Sequence, residues 1–204
     1  IKSSGSFFTT GNSAFIFLVI AVLISLSKKE YLNWNKCLYA LIKPMNKNDV
    51  IITSAGRTAV GSLGKSLKNI PAAELGSVVI SNVISKSKIQ SKDVDEVVMG
   101  QVLTGGTGQN PARQAAMKSG IPKEKPSFVV NQVCGSGIRS VASGFQSIKS
   151  GDSKIIIAGG QESMSLAPHA IHLRDGKKLG DIAMTDTMIK DGLWDAFHGY
   201  HMGV

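Results

Sequence analysis

From residue 45 onward the sequence predicts an α/β fold on a mostly parallel sheet. Stretches that read as strands alternate four times with stretches that read as helices. The most apolar of them, Lys154-Ile-Ile-Ile-Ala-Gly-Gly, runs without polar alternation, as a strand covered on both faces does.

The elements follow in order. Val50-Ile51-Ile52 is a short buried strand closed by Ser54-Ala55-Gly56. Pro71 opens a helix, since proline suits the first turn and Glu74 favours its positive end. Leu75, Val78, Val79, Asn82 and Val83 carry a helical period down to about Ser87. Glu96-Val-Val-Met-Gly and Phe128-Val-Val-Asn-Gln-Val read as strands, and a helix from Asn110-Pro111 to Gly120 lies between them. A third helix is predicted from about Gly135 to Lys149, with Ile138, Val141, Ala142, Phe145 and Ile148 on one face and Gly151 as its stop. Regular patterning fades after Gln161, where prolines, glycines and four histidines predict a loop-rich segment suited to binding. The expected domains are therefore residues 1–44 as an extraneous or hydrophobic leader, 45–160 as the α/β unit, and 161–204 as the start of a loop domain.

The leader reads differently from the rest. Residues 14–26 form an apolar run broken only by Ser25, and a helix of that length rises about 20 Å, short of a bilayer core of about 30 Å. It has neither the basic leading region nor the cleavage pattern of a signal peptide. Met45 opens Met-Asn-Lys-Asn-Asp just before the first convincing strand, so the expectation is a true start at Met45 and a fold that does not need the leader. A membrane anchor is the competing reading. Only Cys37 and Cys134 are present, which excludes a disulfide framework and fits a reducing cytoplasm. The net charge is +9, but the basic residues are scattered and form no stripe with interleaved aromatics, so nucleic acid is not expected as a partner. Such a surface suits an anionic small substrate.

Cys134 carries the chemistry. It falls where a strand gives way to a helix and is followed by Gly135, Ser136 and Gly137. A helix N-terminus presents free N–H groups and positive potential, which favour a thiolate. The glycines let a carbonyl approach the backbone, and the Cys134 N–H can serve in an oxyanion hole. Other motifs fall away. Ala59-x-x-x-x-Gly64-Lys65-Ser66 resembles a phosphate loop, but Asn69 and Pro71 leave no room for the long helix that must follow. Gly105-Gly106-Thr107-Gly108 lacks dinucleotide spacing and reads as a turn. His169-x-x-His172 and His198-x-x-His201 are broken by Pro168 and Gly199 and read as polar loop residues; no metal is expected.

Six stretches carry a resemblance: Ala-Gly-Arg-Thr-Ala-Val-Gly-Ser (55–62), Gly-Gln-Asn-Pro-Ala-Arg-Gln-Ala-Ala (108–116), Asn-Gln-Val-Cys-Gly-Ser-Gly (131–137), Ala-Gly-Gly-Gln-Glu-Ser-Met-Ser (158–165), Ala-Pro-His (167–169) and Gly-Tyr-His-Met-Gly (199–203). Together they resemble the thiolase family, in its biosynthetic acetyl-CoA branch. The resemblance implies the N-terminal half of a five-layer αβαβα fold. It puts Cys134 on the acylated cysteine, and His201 and Met202 on the pair that faces the acyl group. It implies condensation of two acetyl-CoA to acetoacetyl-CoA and CoA, or the reverse thiolysis, by a homodimer or homotetramer with no cofactor beyond its CoA thioester substrates. Gln161 stands where that family more usually has Met.

The family's Asn-Glu-Ala-Phe, Gly-His-Pro and Cys-x-Gly-Gly-Gly motifs do not occur here. The resemblance assigns to them the histidine that activates the nucleophile and a second cysteine that serves as acid and base, so these residues alone are expected to be inactive. Two rival readings stand beside it: a ketoacyl-carrier-protein synthase on the same fold, and a non-catalytic CoA- or lipid-binding module.

Overall fold

A computed structural model describes residues 20–25 and 49–203. The leader before Ile20, the run from Leu26 through Cys37, and Met45 itself lie outside the described residues. One mixed sheet forms the frame, in the order β2-β1-β5-β3-β4. Its strands are β1 (Ile20–Ser25), β2 (Val50–Gly56), β3 (Glu96–Gly100), β4 (Ser127–Val130) and β5 (Ile155–Gly160). The helices are α1 (Ala72–Ser87), α2 (Pro111–Lys118) and α3 (Ser136–Ser150). From β2 to β5 the chain thus alternates β-α-β-α-β-α-β, as the periodicities predict.

Alternation along the strands sorts the core onto two faces. Val97, Met99 and Ile157 pack with α1 and α2, through Val79, Ile80, Val83, Ala112, Ala115 and Ala116. Val98, Ile156 and Ala158 face the other way and pack with Ile148 of α3. β5, β3 and β4 are parallel, so helices cover a parallel core on both faces.

Three expectations change in detail. Val78 and Asn82 are exposed, because α1 buries Leu75, Val79, Ile80, Val83 and Ile84 instead. β4 stops at Val130, three residues short of Val133, and residues 131–135 form a turn. α3 buries Ser136, Ser140, Gly144 and Ile148, spaced every four residues, while Ile138 is 73% and Phe145 45% exposed. Only small side chains fit where α3 crosses the strand ends, so the large apolar residues turn outward.

The largest departure concerns the leader. Ile20–Ser25 lies inside the sheet, antiparallel to both β2 and β5. It is the neighbour that joins β2 to the other strands. Without it, the Ile155–Ile157 edge of β5 would present unpaired backbone groups. The expectation that residues 1–44 are dispensable thus bears on six residues that pair within the sheet.

The opposite ends of β3 and β5 are each fastened by a carboxylate, and Asp95 holds the starting end. It accepts from the Lys154 and Ile155 amides at 2.8 and 3.1 Å, with Lys125 Nζ at 3.4 Å. Burial pushes its carboxyl up, but those donors outweigh burial and hold it below its ordinary value.

Two outcomes are expected. Leu23→Pro removes a backbone donor from an interior strand; amide exchange across β2 and β5 should accelerate by about tenfold or more. A depressed carboxyl adds stability above its unfolded value near about 4, which is lost as pH falls through the lower folded one. Asp95→Asn should therefore flatten the acid limb of a urea-unfolding profile between about pH 5 and pH 2.

Candidate active site

The turn between β4 and α3 is shaped by the strand beneath it. A Cβ on Gly100 would stand 2.4 Å from the Ser136 carbonyl carbon and 2.6 Å from Gly137 N. Only glycine lets the first turn of α3 rest on the end of β3.

Ser136, 4% exposed, ties the turn together. Its hydroxyl accepts from Gln132 N at 2.9 Å and donates to Val133 O at 2.6 Å. Asn131 caps the same turn, its side-chain oxygen accepting from Val133 N at 3.0 Å. Between these contacts Val133 adopts φ +49°, a conformation that costs a β-branched residue about 1–2 kcal/mol. Cys134 follows directly and is exposed, with its thiol free. α3 begins two residues later, at Ser136.

His201 and Met202 stand on a second structure, a turn closed by backbone hydrogen bonds. Met202 N donates to Leu193 O at 2.8 Å, and Asp195 N to Tyr200 O at 2.8 Å. Asp195 accepts from the amides of His198 and Phe197 and pairs with His198 Nδ1, and these donors hold its carboxyl below its ordinary value. His201 Nδ1 accepts from Gly203 N at 3.0 Å. The neutral ring then carries its proton on Nε2, which makes that atom a donor and not a base. Both His201 and Met202 are exposed.

Among the described residues no hydrogen bond joins the Cys134 turn directly to the His201 hairpin. The two approach through a shared segment, Val102–Leu103. Asn131 Nδ2 reaches Val102 O at 3.5 Å. Across from it, a Cβ on Gly192 would lie 3.5 Å from Leu103 and 4.0 Å from Val102.

A cavity of about 410 Å³ opens elsewhere, between the first turns of α1 and α2 and the Gly105–Thr107 loop. None of the three predicted residues lines it. Among the described residues no group of three or more His, Cys, Asp or Glu side chains could hold a metal ion, and no helix is long and apolar enough to cross a membrane.

Residues 50–204 match the family model described as Thiolase, N-terminal domain. The chain belongs to the thiolase family. The acetyl-CoA acetyltransferase of Rhizobium meliloti (strain 1021) is 57% identical over 160 residues, covering 78% of this chain and 41% of that protein. That of Shinella zoogloeoides is 57% identical over 159 residues, covering 78% and 40%. The cytosolic acetyl-CoA acetyltransferase of Rattus norvegicus is 48% identical over 155 residues, covering 76% and 39%. The chain thus spans about two-fifths of the length of these thiolases.

The matched region begins at residue 50 and includes Cys134, His201 and Met202. Strand β1 precedes that region, so this thiolase chain fills an interior place in its sheet with residues from outside the family match.

Sequence reasoning did not single out Ser136 or Val133 as supports of the turn. A serine two residues after a cysteine gives no sign that its hydroxyl will bond backward into the turn. A positive φ at valine has no composition cue, since the residue type argues against it.

Ser136→Ala is expected to leave Gln132 N–H unpaired and to destabilise the chain by about 1–3 kcal/mol in urea unfolding. Exchange should accelerate most at Gln132 to Gly135.

Proposed function

We propose that this chain provides the acyl-accepting part of a thiolase, the part that takes an acetyl group from acetyl-CoA onto Cys134. The Cys134 thiolate adds to the thioester carbonyl, the C–S bond to coenzyme A breaks, and CoA leaves as its thiol once protonated. A second acetyl-CoA, deprotonated at its methyl carbon, then attacks the acetyl-enzyme. The new C–C bond gives acetoacetyl-CoA and returns the Cys134 thiolate. Run backward, the same steps are thiolysis. By family resemblance, the groups that move these protons belong to motifs this chain does not carry.

The observation that carries the reading is the exposed Cys134 on a strained turn that leads straight into α3. The Gly135 N–H is committed to Gln132 O at 3.0 Å, and the glycine beside Cys134 suits an oxyanion site at the Cys134 N–H. His201, with its proton on Nε2, is suited to donate to the carbonyl of a bound thioester. Met202, 52% exposed, offers a polarisable apolar wall.

We further infer a homo-oligomer, dimer or tetramer, working in the cytoplasm on CoA thioesters with no metal or redox cofactor, since none of these steps calls for electron transfer or a Lewis acid. The family's place in fatty acid metabolism follows from the same chemistry.

The test joins the full 204-residue chain to the remaining part of the Rhizobium meliloti enzyme and supplies acetyl-CoA. Mass spectrometry should find one acetyl group, on Cys134. Cys134→Ala should lower thiolysis by about 10⁴-fold or more. Labelling at another residue, or full turnover in Cys134→Ala, would sink the assignment. Acyl-carrier protein as the preferred acyl donor would move the reading to the synthase class.

A further inference from the structure

Glu162 follows β5 and turns its carboxylate onto the backbone just beyond β3. One oxygen accepts from Val102 N at 2.8 Å, and both lie near Leu103 N, at 3.3 and 3.4 Å. Both amides reach Oε2 and Leu103 N also reaches Oε1, so a group that accepts at both oxygens suits the segment.

The segment it grips is the one that meets both halves of the candidate site. Toward Cys134, Val102 O receives the Asn131 amide at 3.5 Å, and Asn131 Oδ1 in turn holds Val133 N at 3.0 Å, one residue before the thiol. Toward the hairpin, Gly192 lies against Leu103 and Val102. The next residue, Leu193, accepts from Met202 N at 2.8 Å.

We infer that Glu162 is a positioning residue that pins Val102–Leu103 and so sets the Cys134 turn and the His201–Met202 hairpin relative to each other. The inference rests on the acyl-transfer reading only for what that placement serves. A carboxylate is used because an amide would turn an N–H toward an N–H. Glu162→Gln keeps the shape and loses one of the two acceptors.

The experiment is residue-resolved amide exchange in the full 204-residue chain, wild type against Glu162→Gln. Exchange at Val102, Leu103, Val133 and Met202 should accelerate by about tenfold or more, while Val98 and Ile157 in the sheet keep their wild-type rates. Unchanged exchange at Val133 and Met202 overturns the inference. Equal acceleration at Val98 and Ile157 also overturns it, because it marks a general loss of stability. A second arm uses the joined enzyme. Glu162→Gln should lower kcat by about tenfold with KM for acetyl-CoA little changed, and an unchanged kcat counts against the inference. Failure of wild-type Cys134 to be acetylated would instead count against the acyl-transfer reading, and the exchange experiment does not depend on it.

Discussion

The first turn of α3 rests on the end of β3 so closely that any side chain at Gly100 would enter the Ser136 peptide. That contact fixes where the helix can begin. With the start of α3 set over Gly100, the five residues from Asn131 to Gly135 must reverse the chain in a short space, and Val133 takes up the strain at φ +49°. Ser136 and Asn131 together hold that conformation. Cys134 therefore stands exposed on a backbone that its neighbours over-determine, the usual condition under which strain persists.

The same seat decides which face of α3 is covered. Ser140 Oγ lies 2.6 Å from both Gly137 O and Gly159 O, so its single proton is shared between helix and strand. Gly144 continues the close approach, and Ile148 is the first large residue to fit beneath. Ile138 and Phe145 consequently face away from the sheet. Covering each would stabilise by about 1.5–3 kcal/mol. A helix apolar on its outer side and small on its inner one is suited to lie between two layers.

How far the sequence could be read depends on what each residue announces. Proline at 71 and 111, glycine at 151 and the isoleucine run at 155–157 have local meanings, and α1, α2, the end of α3 and β5 stand where those residues put them. The exposed outer face of α3 was not legible, since periodicity finds a helix's apolar side but cannot say that only small residues fit the seat. The strand at Ile20–Ser25 was missed for another reason. An apolar run without alternation reads equally as buried strand or membrane segment, and only its pairing with β2 and β5 decides between them. Cys134 was found because its type and its glycines carry chemistry. Its supports were not, because hydrogen bonds between a side chain and a distant backbone leave no pattern in the sequence.

Two carboxylates bracket the central strand pair, and their opposite shifts separate folding from placement. Asp95 fastens the starts of β3 and β5, and its donors hold its carboxyl low, so at neutral pH it contributes stability. Glu162 fastens the segment beyond their ends. Burial pushes its carboxyl up, and the amides of Val102, Leu103 and Ser163 only partly pull it back. A raised carboxyl gives stability that is full below its unfolded value near about 4.3 and is lost as pH rises through the higher folded value. The ionised form of Glu162 is therefore less favoured in the folded chain than in the unfolded one. Its carboxylate satisfies a loop that touches both parts of the candidate site. A desolvated carboxylate at the junction of two such parts is explained by the amides it holds in place there.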